Sequence, residues 1–231
     1  MIATFAEPVL RCRSCCQIQT WMFIKDMKTI LYIHGMGGGS DSRIPSILAE
    51  ALPYRVVCRT YSFDPEEAAQ QIASWVEELK PSLIIGESLG SLHALRVRGV
   101  PHILISPALN APIYLTGLSW LTLIPGVTWA FNRIYRPRPG DRQPLNFTFR
   151  TLRKYASHRK EAMKASRLHG GNDFVHAFIG TRDHYLRTAI VSRRTYKKHF
   201  GATCTLYDGT HFTEEEYIRS LVIPKIRELL G

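Results

Sequence analysis

Residues 86–90 read Gly86-Glu87-Ser88-Leu89-Gly90, directly after the apolar run Pro81-Ser82-Leu83-Ile84-Ile85. A strand that ends in G-x-S-x-G and passes into a helix must turn sharply. The turn lifts the serine hydroxyl above the sheet edge, and a Cβ at either glycine would collide with the neighbouring strand or helix. A serine hydroxyl is a weak nucleophile at neutral pH. It needs a base within hydrogen-bond reach, and the base needs an acid to orient it. The chain offers both in the order Ser, Asp, His. Asp183 follows an apolar run in Phe178-Ile179-Gly180-Thr181-Arg182-Asp183, and His211 follows another in Tyr207-Asp208-Gly209-Thr210-His211-Phe212.

Other residues compete for these roles. His184 is an alternative base, but it starts a helix beside Asp183. Asp208 is an alternative acid only three residues before His211, and Asp173 precedes its strand, at the wrong end. Asp183 with His211 fits the chain order best. The reaction also needs donors for a developing oxyanion. The backbone N–H of Leu89 supplies one. The loop Gly35-Met36-Gly37-Gly38-Gly39-Ser40 should supply the second, with Met36 N–H the first choice and Gly37 N–H the second. The same loop invites a nucleotide-binding reading. However, Ser40 stands where G-x-G-x-x-G needs its last glycine, no Gly-Lys-Ser/Thr follows, and Arg59-Thr60-Tyr61 occupies the place of the ribose-binding acid.

These residues need a frame. Lys28–His34, Tyr54–Tyr61, Ser82–Glu87, Pro101–Ser106, Phe174–Gly180 and Ala202–Tyr207 read as strands. Ser42–Leu52, Pro65–Leu79, Leu89–Arg98, His184–His199 and Thr213–Leu230 read as helices, the last interrupted near Pro224. Such alternation predicts an α/β fold: about six strands, mostly parallel, with helices on both faces. Ligands of such sheets sit at the carboxyl ends of the strands. The alternation breaks between Asn110 and Asp173, too long a stretch for a plain loop. Residues 113–135 are apolar and aromatic, while Arg133 to Arg167 holds eleven Lys or Arg against Asp141 and Glu161. The expectation is a helical cap inserted at about 110–172 over the strand ends. Trp120 and Trp129, with His34, become candidate substrate contacts. The arginines suit either an anionic leaving group or a solvated face.

Taken together, His34-Gly35, the Ser88 elbow, Gly180-Thr181-Arg182-Asp183 and Asp208-Gly209-Thr210-His211-Phe212 resemble the α/β-hydrolase fold family over nearly all of residues 28–230. Within that family the chain is similar to the compact bacterial YqiA-like esterases, through the opening His-Gly strand, Ser106-Pro107-Ala108 and the Gly-Thr-His-x-Phe ending. The resemblance implies ester or thioester hydrolysis through an acyl-serine intermediate, with no metal or cofactor. The cap is longer and more basic than that group leads one to expect. A binding protein on a hydrolase scaffold, its basic cap recognising an anionic ligand, is the alternative.

The bulk properties narrow the partners. The 231 residues suit one domain with an insertion, and 45% apolar residues fit a globular chain. A formal charge of +11 points to an anionic substrate, nucleic acid or an acidic membrane surface. No nucleic-acid module is recognisable, and Pro125-Gly126 breaks the apolar stretch short of a transmembrane span. Cys12, Cys15 and Cys16 lack the second ligand pair that a zinc site needs, and Cys58 and Cys204 read as buried thiols. Residues 1–26 carry no signal-peptide pattern and no secondary-structure period. They read as a poorly ordered extension, dispensable for folding and activity, on a cytoplasmic domain spanning 27–231.

Overall fold

The computed structural model describes residues 27–136, 139–168, 175–201 and 204–231. The proposed extension 1–26 with its three cysteines lies outside the described residues, as do Asp173 and Phe174.

The six expected strands form one all-parallel sheet. They are β1 (Thr29–Ile33), β2 (Arg55–Cys58), β3 (Leu83–Glu87), β4 (His102–Ile105), β5 (Val175–Gly180) and β6 (Cys204–Tyr207), in the order β2-β1-β3-β4-β5-β6. The helices are α1 (Arg43–Ala51), α2 (Pro65–Leu79), α3 (Gly90–Ala94), α4 (Ala111–Ser119), α5 (Val127–Ile134), α6 (Phe149–Leu168), α7 (Arg193–Phe200) and α8 (Ile223–Leu230). Side-chain alternation along the strands divides the core in two. Ile30, Tyr32, Ile85 and Ile103 point to the face covered by α1 and α8, where Leu48 and Ile226 meet them. Leu31, Ile33, Ile84 and Leu104 point to the face holding Ile72, Leu92, Leu152, Tyr155 and Tyr196. Burial on both faces explains the near-continuous apolar strands.

Three helices differ from the sequence reading. The helix after the elbow was expected to reach Arg98 but ends at Ala94, where Arg96 N–H and Val97 N–H bond three residues back and tighten the last turn. The helix expected over His184–His199 is split. Only His184–Leu186 coils, and α7 restarts at Arg193 because the Ser192 hydroxyl accepts the Thr195 N–H. Between them Ala189 has φ +57°, and Asn110 holds the strand of loop through its N–H on Ile190 O and its amide on Ala189 O. The final helix begins at Glu215 rather than Thr213 and widens into a π turn over Ile218–Val222, just before Pro224. There Ile223 N–H donates to Ile218 O, five residues back, and Pro224, which follows, has no N–H to give.

The stretch expected as a cap has two characters. Residues 111–134 form α4, a 3₁₀ turn over Trp120–Leu123 and α5. The basic half instead forms α6, which buries Leu152, Tyr155, Ala162 and Met163 in the sheet-covering core. Among the described side chains, Arg150, Arg153, Lys160 and Lys164 lie outward, Lys154 pairs with Asp64 at 2.6 Å, and Arg159 donates to Leu109 O at 2.7 Å and Asn110 Oδ1 at 2.8 Å. Cys58 and Cys204 are free and half-buried rather than fully buried, and burial pushes the Cys58 thiol up to about 12.

Candidate active site

Chain order and sheet order together create the site. The chain goes from β1 outward to β2, then returns past β1 to β3. The crevice at that reversal, beyond the strand ends, is where open α/β sheets bind ligands. β1 and β3 are neighbours with Ile33 opposite Gly86, so the loops after them share one corner.

Ser88 occupies the left-handed region at φ +49°, a conformation worth about 1–3 kcal/mol of strain for a non-glycine residue. The surroundings enforce it. Ser88 N–H donates to Ile105 O at 2.9 Å and Ser88 O accepts from Ala108 N–H at 3.1 Å. A Cβ on Gly86 would lie 2.7 Å from Ser91 Cα, and one on Gly90 would lie 2.3 Å from His34 O. Both glycines are therefore sterically required.

His211 Nε2 lies 2.9 Å from Ser88 Oγ, and His211 Nδ1 lies 2.8 Å from Asp183 Oδ2. Asp183 and His211 are buried. The carboxylate can only accept, so Nδ1 carries the proton and Nε2 is left to accept the serine hydroxyl. Asp183 Oδ1 is fixed by the Tyr185 N–H at 2.8 Å, and the Tyr185 ring packs edge-on against the imidazole at 4.6 Å. The alternatives stand elsewhere. Asp208 is exposed and paired with Arg182 at 3.0 Å, and the exposed His184 ring is 5.8 Å from that of His211.

The His211 loop is held on several sides. Arg43, at the start of α1, donates to Phe212 O at 2.9 Å and Thr213 O at 2.6 Å. Thr210 N–H donates to Glu214 at 3.1 Å, and Tyr207 Oη meets Thr213 Oγ1 at 2.6 Å. Gly180 packs so tightly on this loop that a Cβ there would lie 2.3 Å from Gly209 O.

The loop after β1 is equally constrained, partly from the inserted stretch. A Cβ on Gly35 would come within 3.1 Å of Ser88 Cβ, so any larger residue there would press the loop against the nucleophile. Gln143, itself buried, accepts the Gly37 N–H at 3.1 Å and donates to Tyr61 O at 3.2 Å, while its own N–H reaches Gly38 O at 2.7 Å. The Gly37 N–H is thus committed to Gln143. Among the described residues Met36 N–H and Leu89 N–H have no acceptor; Leu89 directly follows Ser88, and Met36 follows Gly35, which lies against Ser88.

The three expected substrate contacts differ in exposure. His34 is fully buried and stacked on Tyr61 at 4.3 Å, and burial pulls its imidazole down from 6.5 to about 4. A ring so placed supports the loop: a Cβ on Gly38 would meet it at 2.9 Å. Trp120 packs against Phe149 at 5.4 Å and Trp129 meets Arg133; both are exposed. Exposed Phe212 lies 5.6 Å from the His211 ring, and exposed Met36 follows Gly35, which lies against Ser88. Among the described residues no group of three or more His, Cys, Asp or Glu is placed to hold a metal ion. Gln143, Arg43 and Tyr185 were not foreseen, since none belongs to a spaced motif and each acts across a long separation or through backbone.

No family model and no curated protein matches the chain. Solved structures do. A monoacylglycerol lipase from Paleococcus ferrophilus aligns at 18% identity, TM-score 0.58, over 87% of this chain and 93% of that one. Est1E from Butyrivibrio proteoclasticus, with ferulic acid bound, aligns at 17% identity and TM-score 0.60 over 88% and 89%. A 1H-3-hydroxy-4-oxoquinoline 2,4-dioxygenase aligns at 14% identity and TM-score 0.53 over 89% and 93%. At such identities the likeness concerns architecture, and the third case shows how widely its chemistry varies. With its parallel sheet, its strained serine after β3 and these neighbours, the chain has the α/β-hydrolase fold.

Proposed function

We propose that the protein is a serine hydrolase that cleaves carboxylic esters or thioesters through an acyl-serine intermediate. The observation that carries this reading is the unbroken chain from Ser88 Oγ to His211 Nε2 at 2.9 Å and from His211 Nδ1 to Asp183 Oδ2 at 2.8 Å.

Ser88 Oγ attacks the acyl carbonyl while its proton passes to His211 Nε2. Asp183 holds the imidazole in the required tautomer and offsets the imidazolium charge. The carbonyl oxygen, now an oxyanion, accepts from Met36 and Leu89 N–H. The carbon–oxygen or carbon–sulfur bond then breaks, and the leaving group takes the proton from His211. Water repeats the sequence: His211 removes its proton, its oxygen attacks the acyl-serine, and the proton returns to Ser88 Oγ. Between the two loop donors weighed for the oxyanion, Met36 is favoured because Gln143 occupies the Gly37 N–H.

The test is Ser88→Ala with p-nitrophenyl acetate and an alkyl fluorophosphonate probe. Loss of turnover by about three orders of magnitude or more, with loss of labelling and an unchanged far-UV spectrum, is expected. Turnover equal to the unaltered protein would overturn the assignment.

A further inference from the structure

We propose that the outer face of α4, the 3₁₀ turn and α5 docks on an anionic lipid surface. α4 is a helix without a charged side. α4 buries Pro112, Leu115 and Ser119, which share one face. The opposite face carries Ile113, Tyr114, Gly117 and, one turn further, Trp120, and it stands in solvent. A helix apolar all round is normally enclosed. The turn and α5 extend this surface with Leu121, Leu123, Ile124 and Trp129, and among the described residues most exposed large apolar side chains fall within 113–135. Soluble monomers rarely leave so continuous an apolar patch uncovered.

Charge identifies what covers it. Residues 111–140 contain no Asp or Glu. Arg133 lies over the Trp129 ring at 5.8 Å, and Arg153 lies over the Trp120 ring at 5.6 Å. Among the described residues Arg133, Arg150, Arg153 and Arg187 are exposed and have no carboxylate partner. Aromatic rings with guanidinium groups beside them suit the boundary between acyl chains and anionic headgroups. The chain's formal charge of +11 adds a long-range attraction of the same sign. No helix among the described residues is long and apolar enough to cross a membrane.

The face also reaches the reacting groups. The Tyr114 hydroxyl donates to Thr188 O, in the loop that carries Tyr185 against His211. Phe212, also exposed, stands beside His211 at 5.6 Å between rings. The docking itself does not depend on the proposed reaction, and Ser88→Ala should bind as the unaltered chain does.

The experiment is flotation of the full chain with large unilamellar vesicles of phosphatidylcholine alone or with about one quarter phosphatidylglycerol. At low salt the protein should float with the anionic vesicles, with a blue shift of tryptophan emission, and should be released near about 0.5 M salt. Arg133→Gln and Arg153→Gln should each weaken partition about fivefold, the equivalent of about 1 kcal/mol per arginine at such a surface. Trp120→Ser combined with Trp129→Ser should abolish the blue shift. Lys80→Gln, on the exposed C-cap of α2 just before β3 begins, should change nothing. No flotation, equal loss in Lys80→Gln and Arg133→Gln, or a dimer that Trp129→Ser dissociates without any vesicle binding would each overturn the proposal.

Discussion

The apolar and basic halves of the inserted stretch exchange the places that their compositions imply. Residues 113–135 are rich in Trp, Leu and Ile, yet their outer side chains stand in water. α6 is dense in Lys and Arg, yet Leu152 and Tyr155 are fully buried and Ala162 and Met163 complete the same face. Period explains the exchange. Positions 152, 155, 162 and 163 recur with helical spacing, so α6 owns one apolar face and turns its cations outward. The first half has no such period, and nothing in its sequence designates a side for the core. Amount of hydrophobicity does not decide burial; its arrangement around the helix does.

Tyr155 anchors α6 in the core. Its ring lies among Phe63, His93 and His158, and its hydroxyl donates to Phe63 O at 2.8 Å. Tyr155→Ala should destabilise the domain by about 3–5 kcal/mol, read by urea unfolding, because it empties a core site and orphans a carbonyl. A loss below about 1 kcal/mol would mean that α6 is a peripheral lid and that the two halves are alike.

Between the halves lies a third kind of segment. Gln143 neither fills the core nor faces solvent, but clamps Gly37 and Tyr61 with its two amide atoms. Gln143→Ala should lower kcat for a p-nitrophenyl ester by about ten- to a hundredfold with little change in KM, as expected for a loop that positions an oxyanion donor. Gln143→Glu separates position from bulk. It keeps an acceptor for Gly37 but sets a carboxylate oxygen against Tyr61 O, so activity should recover at low pH as that group protonates. Equal kcat in all three proteins would detach the insertion from the reaction.

The legible parts of the molecule are those where chemistry imposes local spacing. Gly86 and Gly90 are demanded by contacts that a Cβ could not survive, so the elbow was visible as five residues. The apolar strands were visible because burial on both faces leaves little choice of residue. Asp183 and His211 were visible from their place past strand ends. Gln143 and Arg43 were not, since each reaches across more than a hundred residues to backbone atoms that any sequence would supply. Trp120 and Trp129 were singled out by composition alone, and composition does not say which side of a helix faces the core, so their exposure was not legible.

Acid should act on the α6 layer and spare the outer face. The imidazole of His158 accepts from Arg96 at 2.8 Å and packs on His93 at 4.4 Å, with Tyr155 alongside. Burial and Arg96 pull His158 from 6.5 down to about 3. Burial pulls His34 from 6.5 to about 4, and His93 is also held well below its ordinary value. With folded values depressed, the unfolded chain binds protons that the folded chain refuses. Stability should therefore be complete above about pH 6.5 and fall continuously toward pH 4. His158→Asn keeps an acceptor for Arg96 without a titrating ring. It should flatten the slope of urea midpoint against pH while lowering the midpoint itself. An unchanged slope would place the acid sensitivity elsewhere.

The smallest effect belongs to the outer face and completes the contrast. Trp129 is 68% exposed, and its ring meets the Arg133 guanidinium. An exposed cation–π contact is worth about 0.5–1 kcal/mol at most, and removing the ring also relieves apolar hydration. Trp129→Ser should thus shift the urea midpoint by an amount equivalent to less than about 0.5 kcal/mol in dilute solution. The same substitution at a buried tryptophan would cost several kcal/mol, so the magnitude reports whether the face is covered. A loss comparable to Tyr155→Ala, together with a change in sedimentation coefficient, would show that a second copy covers the face in solution, and the halves would then differ only in what buries them.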